Sequence, residues 1–213
     1  ARGQKCTGSG TTPSLIGDPE TGGVVIVDGH APQNNLVACW RGAPPADWRA
    51  LRDPTTRTDR LDRRVAGVIA LPYSTPEGDG FTAENSPAVL GDAIIVAQWA
   101  GFRPDRTPPK GVQRVDWKRD ARTFELIWAN AETHFNGVPT IACRPSGRDC
   151  HAYGVGRYGR EYAYVSLGFE TGRETGRIIL SDQDDVLDQG NNHAVAGDGS
   201  LVYSGKSRMV IVR

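Results

Sequence analysis

Ten polar residues of this 213-residue chain fall in four short stretches, each standing just before a small apolar run. They are Thr11 and Thr12; Glu84, Asn85 and Ser86; His134 and Asn136; and Asn191, Asn192 and His193. An Asn amide both donates and accepts hydrogen bonds, and an imidazole exchanges a proton near neutral pH. Such groups suit a pocket for an organic ligand, with His193 or His134 as general base and the Asn amides steadying developing negative charge. Thr11, Thr12, Ser86 and Asn192 then form the substrate-binding set. The same residue types also cap turns and satisfy loop backbone, and a repeated unit repeats its turn chemistry for folding reasons alone. Both readings stand at the level of sequence. There is no Gly-x-Ser-x-Gly elbow, Walker loop or His-Glu-x-x-His pattern. The run Gly154 to Gly159 matches G-x-G-x-x-G in letters, but it follows a strand pattern and precedes no helix pattern, so it reads as hairpin backbone.

The four stretches introduce four similar segments: Thr11 to Gly17, Asn85 to Gly91, Gly137 to Cys143 and Asn192 to Gly197. With Pro13, Pro87, Pro139 and Ala194 taken as equivalent, they recur at spacings of 74, 52 and 55 residues. A supersecondary unit of that period predicts an all-β fold of β-propeller blades. The 26 Gly and 14 Pro, with short apolar runs, agree with many short strands and turns. Period-2 patterning predicts blade units over about 10–73, 82–130, 134–181 and 190–213, after an N-terminal extension of residues 1–9. The last unit shows three strands, and residues 1–9 have no alternating apolar face to supply a fourth. The economical expectation is therefore the C-terminal half of a seven- or eight-bladed ring, with a second chain or fragment supplying the other blades; a closed four-bladed disc is the rival. In a propeller the innermost strands line the axis, so the ten polar residues converge on one face.

Lys plus Arg equals Asp plus Glu at 25 each, so no bulk attraction to nucleic acid or anionic membrane is expected. No apolar run reaches the length of a membrane span. Met209 is the only Met and the chain opens at Ala1, which fits signal cleavage or trimming of a larger protein. Cys143 and Cys150 flank a strong turn and are expected to form a hairpin disulfide, hence a secreted or periplasmic protein. Cys6 and Cys39 either pair with each other or Cys6 pairs elsewhere. The charge-mixed stretch Arg41 to Arg64 reads as a solvated loop, and Asp182 to Asp185 lacks the downstream spacing of an EF-hand. Trp99, Trp117 and Trp128 read as packing between blades, and His30 and His151 as ordinary turn and hairpin residues.

The Gly-Asp turn of Leu90-Gly91-Asp92-Ala93-Ile94-Ile95-Val96, within units of about fifty residues, resembles the blades of quinoprotein-like and lactonase-like propellers. Remnants of the quinoprotein blade-docking motif A-x-D-x-x-T-G-x-x-x-W are Asp120, Thr123 and Trp128 in the second unit and Thr171 and Gly172 in the third. That motif locks a blade to its neighbour and supports the scaffold rather than a reaction. The lactonase-like resemblance implies calcium held by Glu84, Asn85, Asn136 and Asn191, polarising a carbonyl or phosphoryl oxygen for hydrolysis. A non-catalytic binding or protein-interaction scaffold and a quinoprotein-like oxidoreductase are the alternatives; a quinone cofactor is not expected.

Overall fold

The structure is a computed structural model describing residues 11–28, 33–53, 59–73, 81–82, 85–97, 99–100, 111–133, 135, 137–158, 161–181, 192–196, 198, 200–204 and 209–213. Strands form where branched and aromatic residues alternate between Gly, Asp and Pro turns. In chain order they are β1 (Ser14–Ile16), β2 (Gly23–Asp28), β3 (Asn35–Trp40), β4 (Val65–Ala70), β5 (Phe81–Thr82), β6 (Ala88–Leu90), β7 (Ala93–Ala97), β8 (Trp99–Ala100) and β9 (Val112–Lys118). The remainder are β10 (Thr123–Asn130), β11 (Thr140–Cys143), β12 (Cys150–Tyr158), β13 (Glu161–Gly168), β14 (Glu174–Ser181), β15 (Asn192–Val195), β16 (Leu201–Ser204) and β17 (Met209–Val212). Four antiparallel sheets result, ordered β1-β2-β3-β4, β6-β7-β9-β10, β11-β12-β13-β14 and β15-β16-β17, with a separate ribbon β5-β8. They are arranged as the blades of a β-propeller, as the repeat predicts. Gly154 to Tyr158 lie within β12, and β13 begins at Glu161.

Three buried apolar clusters join successive sheets. Val25, Leu36 and Ala38 of the first sheet pack on Ile94, Val96 and Trp117 of the second. Ile95 and Val112 of the second pack on Ala152, Val165 and Leu167 of the third, and Val155 and Tyr162 of the third pack on Tyr203 of the fourth. Polar locks reinforce the second seam. The Trp128 indole N–H donates to Phe169 O at 2.8 Å, and Asn130 Nδ2 donates to Gly172 O at 2.7 Å. Gly172 lies so close beneath Trp128 that an added Cβ would sit 2.5 Å from the ring, and its φ of +66° already favours glycine. Arg114 reaches across the same seam to Phe169 O at 3.0 Å and Glu170 at 2.7 Å. Trp117 likewise packs between sheets, and a Cβ on Gly67 would meet it at 2.7 Å. The Trp99 side chain lies outside the described residues.

The fourth repeat is displaced by one residue from the alignment of Ala194 with the prolines. In the first three sheets the residue after the proline pairs with one facing the next sheet: Ser14 with Val25, Ala88 with Ile95 and Thr140 with Tyr153. In the fourth, Tyr203 packs toward the third sheet, so its neighbour Val202, paired with Ala194, faces outward. His193 therefore takes the prolines' place, and Asn192 and His193 lie inside β15 rather than in the loop before it. A one-residue slip exchanges the two faces of a strand, and here both faces are apolar, so residue type alone does not mark the register.

Cys143 and Cys150 form the expected disulfide, facing each other across the β11–β12 pair. Cys39 is a free thiol on β3, so it does not pair with Cys6, which lies outside the described residues. Within the stretch Arg41 to Arg64, read as a solvated loop, Trp48 packs on the buried cluster of the first seam and its indole N–H donates to Val65 O at 3.2 Å.

Candidate functional site

β1, β6, β11 and β15 all begin at one face of the assembly, here called the top face, where β2 and β7 end and β3 and β9 begin. Glu84, His134, Asn136 and Asn191, the Asn192 side chain, His30 and Asp182 to Asp185 lie outside the described residues. Thr11, Thr12, Asn85, Ser86 and His193 are described, and they divide into two groups.

The first group ties the scaffold together. The Thr11 hydroxyl accepts from Val27 N at 3.2 Å, and Ser86 Oγ accepts from Thr12 N at 2.9 Å. The Thr12–Ser86 bond, with Ser14 Oγ donating to Pro87 O at 2.6 Å, joins the entries to the inner strands of the first and second sheets, whereas the Thr11 bond lies within the first. Thr12 takes part through its backbone.

The second group keeps hydrogen-bonding capacity in hand. Asn85 is buried, and its Nδ2 has no hydrogen-bond partner among the described residues. His193 is half-buried, and its Nε2 likewise has none. Its ring meets Tyr164 edge-on at 5.5 Å, between the third and fourth sheets, and Tyr164 stacks on Tyr153 at 5.6 Å. Burial lowers the His193 pKa from 6.5 to about 4 and pushes the Tyr164 phenol up, so both rings are neutral at pH 7.

Sequence reasoning missed Gln113. It occupies the second position of β9, opposite Val96, and shares the first-seam face with Val115 and Trp117. It is 0% exposed, yet neither Oε1 nor Nε2 has a partner among the described residues. In the alternating pattern of β9 a Gln reads as a solvent-facing residue. Because blades cover both faces of this sheet, it is instead enclosed. A buried amide left unpaired costs about 1–3 kcal/mol, so its retention at the top of a seam calls for a partner.

His151, at the opposite end of the third sheet, bridges Asp149 Oδ1 at 3.1 Å and Thr175 Oγ1 at 3.0 Å, a network within its own hairpins. A groove of about 260 Å³ also lies away from the top face, against the β1–β2 and β9–β10 turns, with Trp40 and Trp117 in its wall. Its arginines are already paired, Arg119 with Asp92 and Asp18, Arg122 with Asp47. Among the described residues no three His, Cys, Asp or Glu side chains gather to hold a metal ion.

No family model matches the chain. An uncharacterized protein of Archaeoglobus fulgidus is 25% identical over 183 residues, 78% of this chain and 34% of that protein. The chain thus spans about a third of the length of that relative. A solved luciferin-regenerating enzyme aligns with a TM-score of 0.40 and 11% identity, over 97% of this chain and 73% of the other.

Proposed function

We propose that this chain forms part of an extracytoplasmic propeller that binds a small, uncharged, polar organic molecule at its top face. One observation carries the reading: Asn85, just before β6, and Gln113 and His193, near the top ends of β9 and β15, keep buried polar atoms without partners among the described residues. Asn85 offers a donor, the Gln113 amide a donor and an acceptor, and neutral His193 an acceptor. A charged ligand would find no complementary charge on these three side chains. With its pKa held near 4, His193 is a weak base at neutral pH and suits ligand orientation better than proton abstraction. The disulfide supports an oxidising compartment. That no buried cluster of described residues joins the fourth sheet to the first supports reading the chain as part of a larger propeller.

Metal-assisted hydrolysis remains the enzymatic version of this reading. It would use Glu84, Asn85, Asn136 and Asn191 to hold calcium, which would polarise a carbonyl or phosphoryl oxygen. Asn85 alone of that set is described, and its unpartnered atom is the amide nitrogen, a donor that fits a ligand oxygen rather than a cation.

The test is calorimetric titration with neutral lactones and sugars, glucono-δ-lactone and glucose among them, alongside thermal melts. Asn85→Ala and Gln113→Leu should weaken binding at least about tenfold, the effect of losing one hydrogen bond of about 1.4 kcal/mol. Stability should hold or rise, since each change removes an unpaired buried amide. Unchanged affinity in both variants, or loss of stability with affinity intact, would refute the reading.

A further inference from the structure

The two outermost sheet faces are largely apolar, and no buried cluster of described residues covers them. On the first sheet, Val24, Ile26 and Cys39 alternate with the residues of the first seam and so face away from the second sheet, and Leu15 beside them is 54% exposed. On the fourth sheet, Val202, Met209 and Ile211 face away from the third; Met209 is 64% exposed and Ile211 53% exposed. Among the described strand residues of these two faces the one charged side chain is Asp28, at the top end of β2, which accepts from Asn35 N at 2.7 Å. If the four sheets closed on themselves, these faces would pack together and be buried like the three internal seams. Among the described residues no buried cluster joins the fourth sheet to the first.

The repeat makes the faces complementary. Val24 occupies the place of Ile94 and Ala152, whose side chains receive the preceding sheet. Val202 occupies the place of Val25 and Ile95, whose side chains pack on the following sheet. The outer face of the fourth sheet therefore presents what a first sheet is built to receive. Among the described residues the two faces share no buried cluster within one chain; between two chains they can pack.

We propose that two copies of this chain close head to tail into one ring of eight sheets, the fourth sheet of each packing on the first sheet of the other. Eight is within the range in which propellers close. The two-fold arrangement makes two identical new seams that continue the blade-to-blade packing inside each chain. The inference rests on the larger-ring reading and commits its second chain to a second copy.

Sedimentation or light scattering of the 213-residue chain should give twice its mass of 23.0 kDa. Maleimide labelling of Cys39, located by peptide mapping and scaled to the unfolded chain, should show protection. Leu15→Asp and Ile211→Asp should each weaken the dimer at least about tenfold and expose Cys39, because each places an unpaired carboxylate in a seam. Mixing the two variants should recover a dimer, since one of its two seams is then unaltered. A dimer sensitive to Ile211→Asp but not to Leu15→Asp would overturn the head-to-tail arrangement in favour of fourth-on-fourth packing. A monomer with Cys39 readily labelled would overturn the second copy while leaving the larger ring standing, its further blades belonging to other polypeptide. A monomer with Cys39 protected would overturn both, showing the first sheet covered within one chain.

Discussion

Acidification from pH 7 to pH 4 should cost this protein stability that a His193→Phe variant does not lose. The His193 ring lies against Tyr164, its Nε2 is buried without a partner among the described residues, and burial lowers its pKa from 6.5 to about 4. Between those values the unfolded chain binds a proton at this site and the folded chain does not. Stability from this residue is therefore intact above pH 6.5 and falls progressively as pH drops toward 4. Every tenfold loss of proton affinity on folding corresponds to about 1.4 kcal/mol, and partial exposure of the ring reduces the total, so the loss should be about 1–3 kcal/mol. Phenylalanine preserves the aromatic contact and removes the titration. Urea denaturation of both proteins at pH 7, 6, 5 and 4 isolates the effect, because the carboxylates contribute alike to each series. Identical pH dependence in the two proteins, or an NMR titration placing His193 at its ordinary pKa, would refute the reasoning.

Gly172→Ala should destabilise the protein by about 2–4 kcal/mol, combining left-handed backbone strain with the clash beneath Trp128; a shift below about 0.5 kcal/mol in urea midpoint analysis would show that the second seam is not closely packed there. Replacing Cys143 and Cys150 together by serine should cost about 2 kcal/mol, the loop-closure value for so short a span. That loss should match the fall in melting temperature of the native protein on reduction, and a melting temperature insensitive to reductant would contradict it.

The blades were legible because their signals are local. Alternating runs such as Val24 to Asp28 and Val112 to Trp117, bounded by Gly and Asp turns, mark strands within about three residues of where they lie. The hairpin disulfide was equally local, since the two cysteines stand seven positions apart across one turn. The ribbon β5-β8 escaped notice because two residues per strand carry no period. The register of the fourth repeat escaped it for a different reason: Ala194, Val195, Val202 and Tyr203 read as apolar on either face, and only packing of Tyr203 and Val210 on the third sheet decides which face turns inward.

The candidate site divides the same way. Asn85 and His193 stood out as polar residues ahead of or within inner strands. Their unpartnered state is a product of burial between sheets far apart in sequence. Gln113 had no signal at all, because a polar residue within an alternating strand looks solvated until a second sheet covers it. The sequence by itself determined the order and approximate limits of the strands of the four blades, through alternation and turn chemistry acting over a few residues. Which face of each sheet is enclosed, which hydroxyls are spent on neighbouring backbone and which amides remain unpaired were decided only by tertiary structure, because burial depends on what the rest of the chain brings alongside.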